Sequence, residues 1–72
     1  MERDEKKMLG TEIKQLRTAA GISQQKLARM LDMNRTRIRE IENGEGNPQL
    51  STLIRIARGI GVLLRDLFDW DD

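Results

Sequence analysis

The residues with the most chemistry to offer lie close together, between Ser23 and Gly44. Five cations (Lys26, Arg29, Arg35, Arg37 and Arg39) fall between Ser23 and Arg39 against a single anion, Asp32. Guanidinium groups bind phosphate oxygens through paired N–H donors, so a local run of them is the footprint of a polyanionic partner. The ordinary alternative is a solvated helix face; the coincidence of the cations with a structural motif favours the partner. The net charge of +1 hides this asymmetry, because Asp66, Asp69, Asp71 and Asp72 make the far end acidic. Other chemistries are poorly supplied. The chain has neither cysteine nor histidine, which removes disulfides, a thiolate nucleophile, the commonest metal ligand and the commonest general base.

The elements that must position these residues are two short helical patterns meeting across Asp32-Met33-Asn34. The first carries a small residue, Ala28, where another helix must cross closely. The second opens with polar and cationic side chains and turns Ile38 and Ile41 inward. A helix-turn-helix requires this arrangement: one helix rests on a phosphate backbone while the next presents its first residues to base edges. The expectation is sequence-specific binding to double-stranded DNA.

Around this pair the periodicity predicts three more helices. Leu9, Ile13, Leu16 and Ala20 give helix 1 over about 9–20, stopped by Gly21 in a left-handed conformation. Ser23 caps helix 2 at about 24–31, and Asn34 caps helix 3 at about 35–43. After a loop from Gly44 to Pro48, Leu50, Leu53, Ile54 and Ala57 give helix 4 at about 50–59. Leu64, Leu67 and Phe68 give a short helix 5. The predicted class is therefore all-α, a compact five-helix bundle with an aliphatic core. Residues 1–8 read as a charged flexible leader or a frayed first turn, 9–69 as the domain, and 70–72 as an acidic tail.

Seventy-two residues allow one small domain and no separate effector domain. No apolar run reaches the ~20 residues of a membrane span, and MERDEKKM is no secretory signal. A cytoplasmic protein is expected, with no cofactor, no metal, no membrane contact and no small-molecule substrate.

The ordered set Gly21, Ser23-Gln24, Leu27-Ala28, Leu31, Ile38, Ile41-Glu42, Asn43-Gly44, Asn47-Pro48, Leu53, Ile56-Ala57, Gly61-Val62 and Leu67-Phe68 resembles the lambda-repressor-like, Cro/XRE type of helix-turn-helix DNA-binding domain. The resemblance spans Ile13 to Phe68. It implies a structural ion pair between Arg17 and Glu42 that ties helix 1 to the end of helix 3. It also implies phosphate contacts from Ser23 and Gln24 at the start of helix 2, and from Asn43 and Gly44 at the end of helix 3. Asn43 has an equal reading as a plain C-cap. Arg35, Thr36, Arg39 and Glu40 take the base-reading positions, with Arg37 assigned to phosphate. Arginine can take guanine O6 and N7, threonine a thymine methyl, and glutamate cytosine N4. Glu40 has a second role open to it, holding Arg37 or Arg39 in place.

Two positions depart from the family pattern. Asp32 replaces the usual turn glycine, at a modest cost in left-handed strain. Leu63 replaces the hydroxyl that usually caps helix 5, so either that helix starts differently or another surface covers the leucine. One domain touches about half a site, so the resemblance implies a homodimer on two half-sites ~34 Å apart. Ile56, Ile60, Leu63 and Trp70 are the dimer candidates, with Ile56 and Ile60 alternatively widening the core face and Trp70 alternatively anchoring the tail. The function expected is a small transcriptional regulator, a repressor acting by occlusion at a palindromic operator. Phage Cro-like proteins, antitoxins and controller proteins are all of this size. The alternative is a protein–protein adaptor that keeps the fold without binding DNA. A metal-dependent nuclease would have only Asp66, Asp69, Asp71 and Asp72 to work with, at an unscaffolded terminus.

Overall fold

Each helix in the computed structural model, which describes residues 4–70, begins and ends for a local reason. The order is α1 (Glu5–Ala19), α2 (Gln24–Met30), α3 (Arg35–Glu42), α4 (Leu50–Ile60) and a 3-10 helix (Leu64–Phe68). The architecture is all-helical, with the expected fifth helix present as the 3-10 turn. Helix α1 starts within the charged segment because the Asp4 carboxylate accepts from the Lys7 N–H at 3.1 Å. The leader residues 1–3 and tail residues 71–72 lie outside the described residues.

Helices α1 and α2 stop by the same device. The Ile22 N–H reaches back to the Arg17 carbonyl at 3.1 Å and the Gly21 N–H to Thr18 at 3.0 Å, with Gly21 left-handed. At the end of α2, Met33 N–H reaches Ala28 O at 2.8 Å and Asp32 N–H reaches Arg29 O at 3.3 Å. Both are the paired closures of a helix end whose last carbonyls would otherwise lack donors. Asp32 takes the glycine position there at φ +53°. The turn therefore survives the substitution. Ser23 Oγ caps α2 through the Lys26 N–H at 3.0 Å, and Asn34 Oδ1 caps α3 through the Thr36 N–H at 2.7 Å.

The core comprises Leu9, Ile13, Leu27, Ala28, Ile38, Ile41, Leu53, Ile56, Ala57, Ile60 and Leu67. Two of the four dimer candidates are corrected by this list. Ile56 is 0% and Ile60 8% exposed, because the inward stripe of α4 is Leu53, Ile56, Ala57 and Ile60 rather than one including Leu50 and Ile54. Trp70 takes its alternative reading, that of a tail anchor. It packs against the core from beyond the 3-10 helix, over a shallow groove bordered by Lys7, Met8, Thr11, Glu12 and Gln15, and so anchors the chain end to α1. Leu63 remains on the surface at 56% exposure. Its N–H donates to Asp66 Oδ2 at 2.9 Å, so half of the capping arrangement persists and only the hydroxyl's part is lost. No helix among the described residues is long and apolar enough to cross a membrane.

One buried ion pair joins the first three helices. Arg17 Nε donates to Glu42 Oε2 at 2.6 Å and Nη2 donates to Oε1 at 2.9 Å, while Nη1 donates to the Ile22 carbonyl at 2.8 Å. The side chains are 7% and 1% exposed. The hydrogen bond to Glu42 pushes the Arg17 guanidinium pKa above its ordinary value; burial opposes the rise and the carboxylate's charge adds to it. The pair matches the one implied by the resemblance. Glu42 can reach Arg17 because α1 and α3 cross closely at Gly10. A Cβ there would lie 2.4 Å from the Glu42 carbonyl oxygen and 2.5 Å from that of Ile41.

Two outcomes follow for stability. Replacing Gly10 with alanine raises helix propensity by about 1 kcal/mol but forces backbone against backbone, and overpacking of this kind costs about 1–3 kcal/mol. Urea denaturation of Gly10→Ala is therefore expected to show a net loss, and a raised midpoint would mean that the crossing is looser than described. Glu42→Ala leaves a buried guanidinium without its carboxylate and is expected to cost about 3–5 kcal/mol, whereas the double change Arg17→Met/Glu42→Leu recovers most of it. A single-variant loss under about 1 kcal/mol, the level of an exposed pair, would contradict the burial.

Candidate nucleic-acid interface

Helix α3 divides into a buried and a solvent face. Ile38, Ile41 and Glu42 are buried, whereas Arg35, Thr36, Arg37 and Arg39 are exposed and Glu40 is half-buried. The Asn34 cap places Arg35 as the first residue of the helix, so its side chain leaves the domain beside the turn. All four expected base readers thus lie on α3 with at least part of their surface open to solvent, joined by Arg37. Lys26 and Arg29 of α2 are exposed as well.

Glu40 resolves differently from one of its two expected roles. Among the described residues it forms no ion pair with Arg37 or Arg39, the Arg17–Glu42 pair being the one within 4.0 Å. Glu40 borders a small cleft with Arg37, Asn47 and Pro48 at the loop side of α3.

The expected phosphate contacts come from the ends of two helices. Ser23 is exposed at the start of α2. Gln24 is half-buried, and its Nε2 donates to Glu42 Oε1 at 3.0 Å. A carboxamide NH2 carries two donors and its oxygen can accept, so this bond leaves Gln24 able to engage a second group while fixing where the side chain lies. Asn43 is the C-cap residue of α3 and is exposed. Gly44 follows at φ +76° and presses on α1, where a Cβ would meet Lys7 Cα at 2.8 Å. Lys6 Nζ then donates to the Gly46 carbonyl at 3.2 Å, which ties the loop after α3 to the first turn of α1.

Sequence reasoning missed three of these features. The Gln24–Glu42 bond had no signal in a glutamine that suits a phosphate equally well. Gly10 did carry one: a glycine in the middle of a helical stripe costs propensity and asks for a packing reason. The third is Arg55, exposed on α4, whose guanidinium Nη2 donates to the Leu31 carbonyl. Among the described residues no group of three or more carboxylates converges to hold a metal.

With this geometry in place, residues 13–67 match the helix-turn-helix family. Over 66 residues the chain is 38% identical to the control protein C.MunI of a Mycoplasma species, covering 90% of this chain and 89% of that one. It is 36% identical over 64 residues to the control protein C.BamHI of Bacillus amyloliquefaciens, covering 88% and 79% respectively. Its fold is similar to that of the restriction-modification controller protein C.AhdI from Aeromonas hydrophila, with a TM-score of 0.83 at 31% identity over 86% of this chain and 94% of that one. The chain belongs to the helix-turn-helix family in its Cro/XRE type, a family of DNA-binding transcriptional regulators and not of enzymes.

Proposed function

We propose that this small regulator represses transcription in the cytoplasm by occupying an operator as a homodimer, each copy reading one half-site with α3. The observation that carries the reading is the set of arginines at the start of α3, exposed on a helix whose other face is fixed in the core. In this reading Arg35 takes a guanine edge, Thr36 a thymine methyl and Arg39 a further base. Glu40, free of both neighbouring arginines, accepts from a cytosine amine. Ser23 and Gln24 at the start of α2, with Arg37, Asn43 and Gly44, contact phosphates. Among the three small-regulator roles, the likeness to two proteins named as control proteins and to one named as a restriction-modification controller favours the controller role.

The dimer rests on a physical need and on a surface. A single α3 contacts too few base pairs for useful specificity, and two-fold pairing doubles them. Of the four candidates Leu63 alone stays exposed, and Leu50 and Phe68 join it as large apolar side chains open to solvent. Sedimentation of Leu63→Glu is expected to show monomer at concentrations where the parent protein pairs. Unchanged pairing would move the interface elsewhere.

Affinity for bulk duplex DNA is expected to fall about tenfold or more between 50 and 200 mM salt, since Arg37 of each of two copies neutralises a phosphate. A flat response would favour the adaptor alternative. On defined matched and mismatched sites, Arg35→Ala should relax preference at one base pair per half-site, by about 1–3 kcal/mol. Gln24→Ala should weaken matched and mismatched sites alike. Identical behaviour of the two variants would contradict the division into base readers and phosphate anchors.

A further inference from the structure

The turn between α2 and α3 is held from outside the motif. Its own backbone closes the Ala28 and Arg29 carbonyls through the amides of Met33 and Asp32. The Leu31 carbonyl, at the C-cap of α2, instead accepts from Arg55 Nη2, a side chain of α4. One helical turn further along the same side of α4, Gly59 faces the Leu31 side chain. A Cβ on Gly59 would lie 3.0 Å from Leu31 Cδ2 and 3.2 Å from Leu27 Cδ1. Glycine within a helix weakens it relative to alanine, and here its bareness admits the two leucines. Helix α4 therefore engages Leu31 twice, at the main chain through Arg55 and at the side chain through the backbone of Gly59. A cation at the last carbonyls of α2 also suits the negative end of that helix's dipole.

We propose that Arg55 is a positioning residue for sequence recognition, fixing through the Leu31 carbonyl the angle at which α3 leaves the turn. This rests on the DNA-reading role assigned to α3 above. Asp32, Met33 and Asn34 are all that separate Leu31 from Arg35, so any swing of the turn is passed directly to the base-reading side chains. Base hydrogen bonds tolerate little misplacement, whereas phosphate contacts are long-ranged and forgiving. Loss of the Arg55 contact therefore acts on discrimination more than on general affinity.

The test compares Arg55→Ala, Arg55→Lys and Gly59→Ala with the parent protein on a selected duplex and a scrambled one across a salt series. Circular dichroism confirms folding at the assay temperature. Arg55→Ala is expected to lower the ratio of matched to scrambled affinity about fivefold or more, the effect of one lost charge-assisted hydrogen bond. The salt slope on scrambled DNA stays unchanged and amide exchange at Asp32 and Met33 quickens. Arg55→Lys, which keeps a cationic donor, retains most of the ratio, and Gly59→Ala shifts it in the same direction as Arg55→Ala. Should Arg55→Ala fail to fold, Arg55→Met, which keeps an apolar stem without a donor, carries the same comparison.

An unchanged ratio overturns the proposal. So does a salt slope shallower by about one, which would make Arg55 a phosphate contact. A parent protein without any preference for the matched duplex would instead refute the DNA-reading role. In that event exchange at Asp32 and Met33 still reports whether Arg55 holds the turn.

Discussion

The buried pair between Arg17 and Glu42 is the constraint on which the rest of the molecule depends. The core around it is aliphatic, and aliphatic packing is non-directional; it brings helices together without fixing their angles closely. The pair is directional. Its hydrogen bonds reach the body of α1, the Ile22 carbonyl in the link to α2, Gln24 at the start of α2 and the last residue of α3. Three helices thus share one polar node. Desolvation cancels much of the attraction between two buried charges, so the contribution of the pair lies in geometry more than in net stability.

That node also links the interior to the proposed interface. Gln24 is held by Glu42 at one of its atoms and stands where the family resemblance places a phosphate anchor. The same carboxylate that closes α3 against α1 therefore sets where the start of α2 meets solvent. At the other end of α2, the turn through Asp32 and the contact from α4 complete the support. The helix that carries the arginines is short, Arg35–Glu42, and isolated helices of that length are marginal in water. Its persistence comes from Ile38 and Ile41 in the core and from caps at both ends.

The helix-turn-helix was legible in the sequence because its signals are local: Ser23 and Asn34 before apolar stripes, Gly21 after one, and a small residue at the crossing. Asp32 was legible as a left-handed residue for the same reason. The phase of α4 was not. Leu50, Leu53, Ile54 and Ala57 form a helical stripe, and so do Leu53, Ile56, Ala57 and Ile60; the two share Leu53 and Ala57. Which of them turns inward is decided by α2 and the 3-10 helix, which lie far away in sequence. The first stripe leaves Ile56 and Ile60 open to either reading, core or interface, and hides the exposure of Leu50. Trp70 was read partly as an interface residue because nothing local says that the chain folds back on α1. The start of α1 at Glu5 was open in the sequence, which allows either a leader or a frayed first turn there, because that charged turn buries little and rests on the Asp4 cap.

The most direct measurement of the central claim, that α3 is held proud of the bundle for a major groove to receive, is selection of bound sites from a pool of random duplexes. The predicted result is an enriched two-fold symmetric sequence with half-site centres ~34 Å apart, or one turn of the double helix. A selected pool no richer in any sequence than the starting one would contradict it.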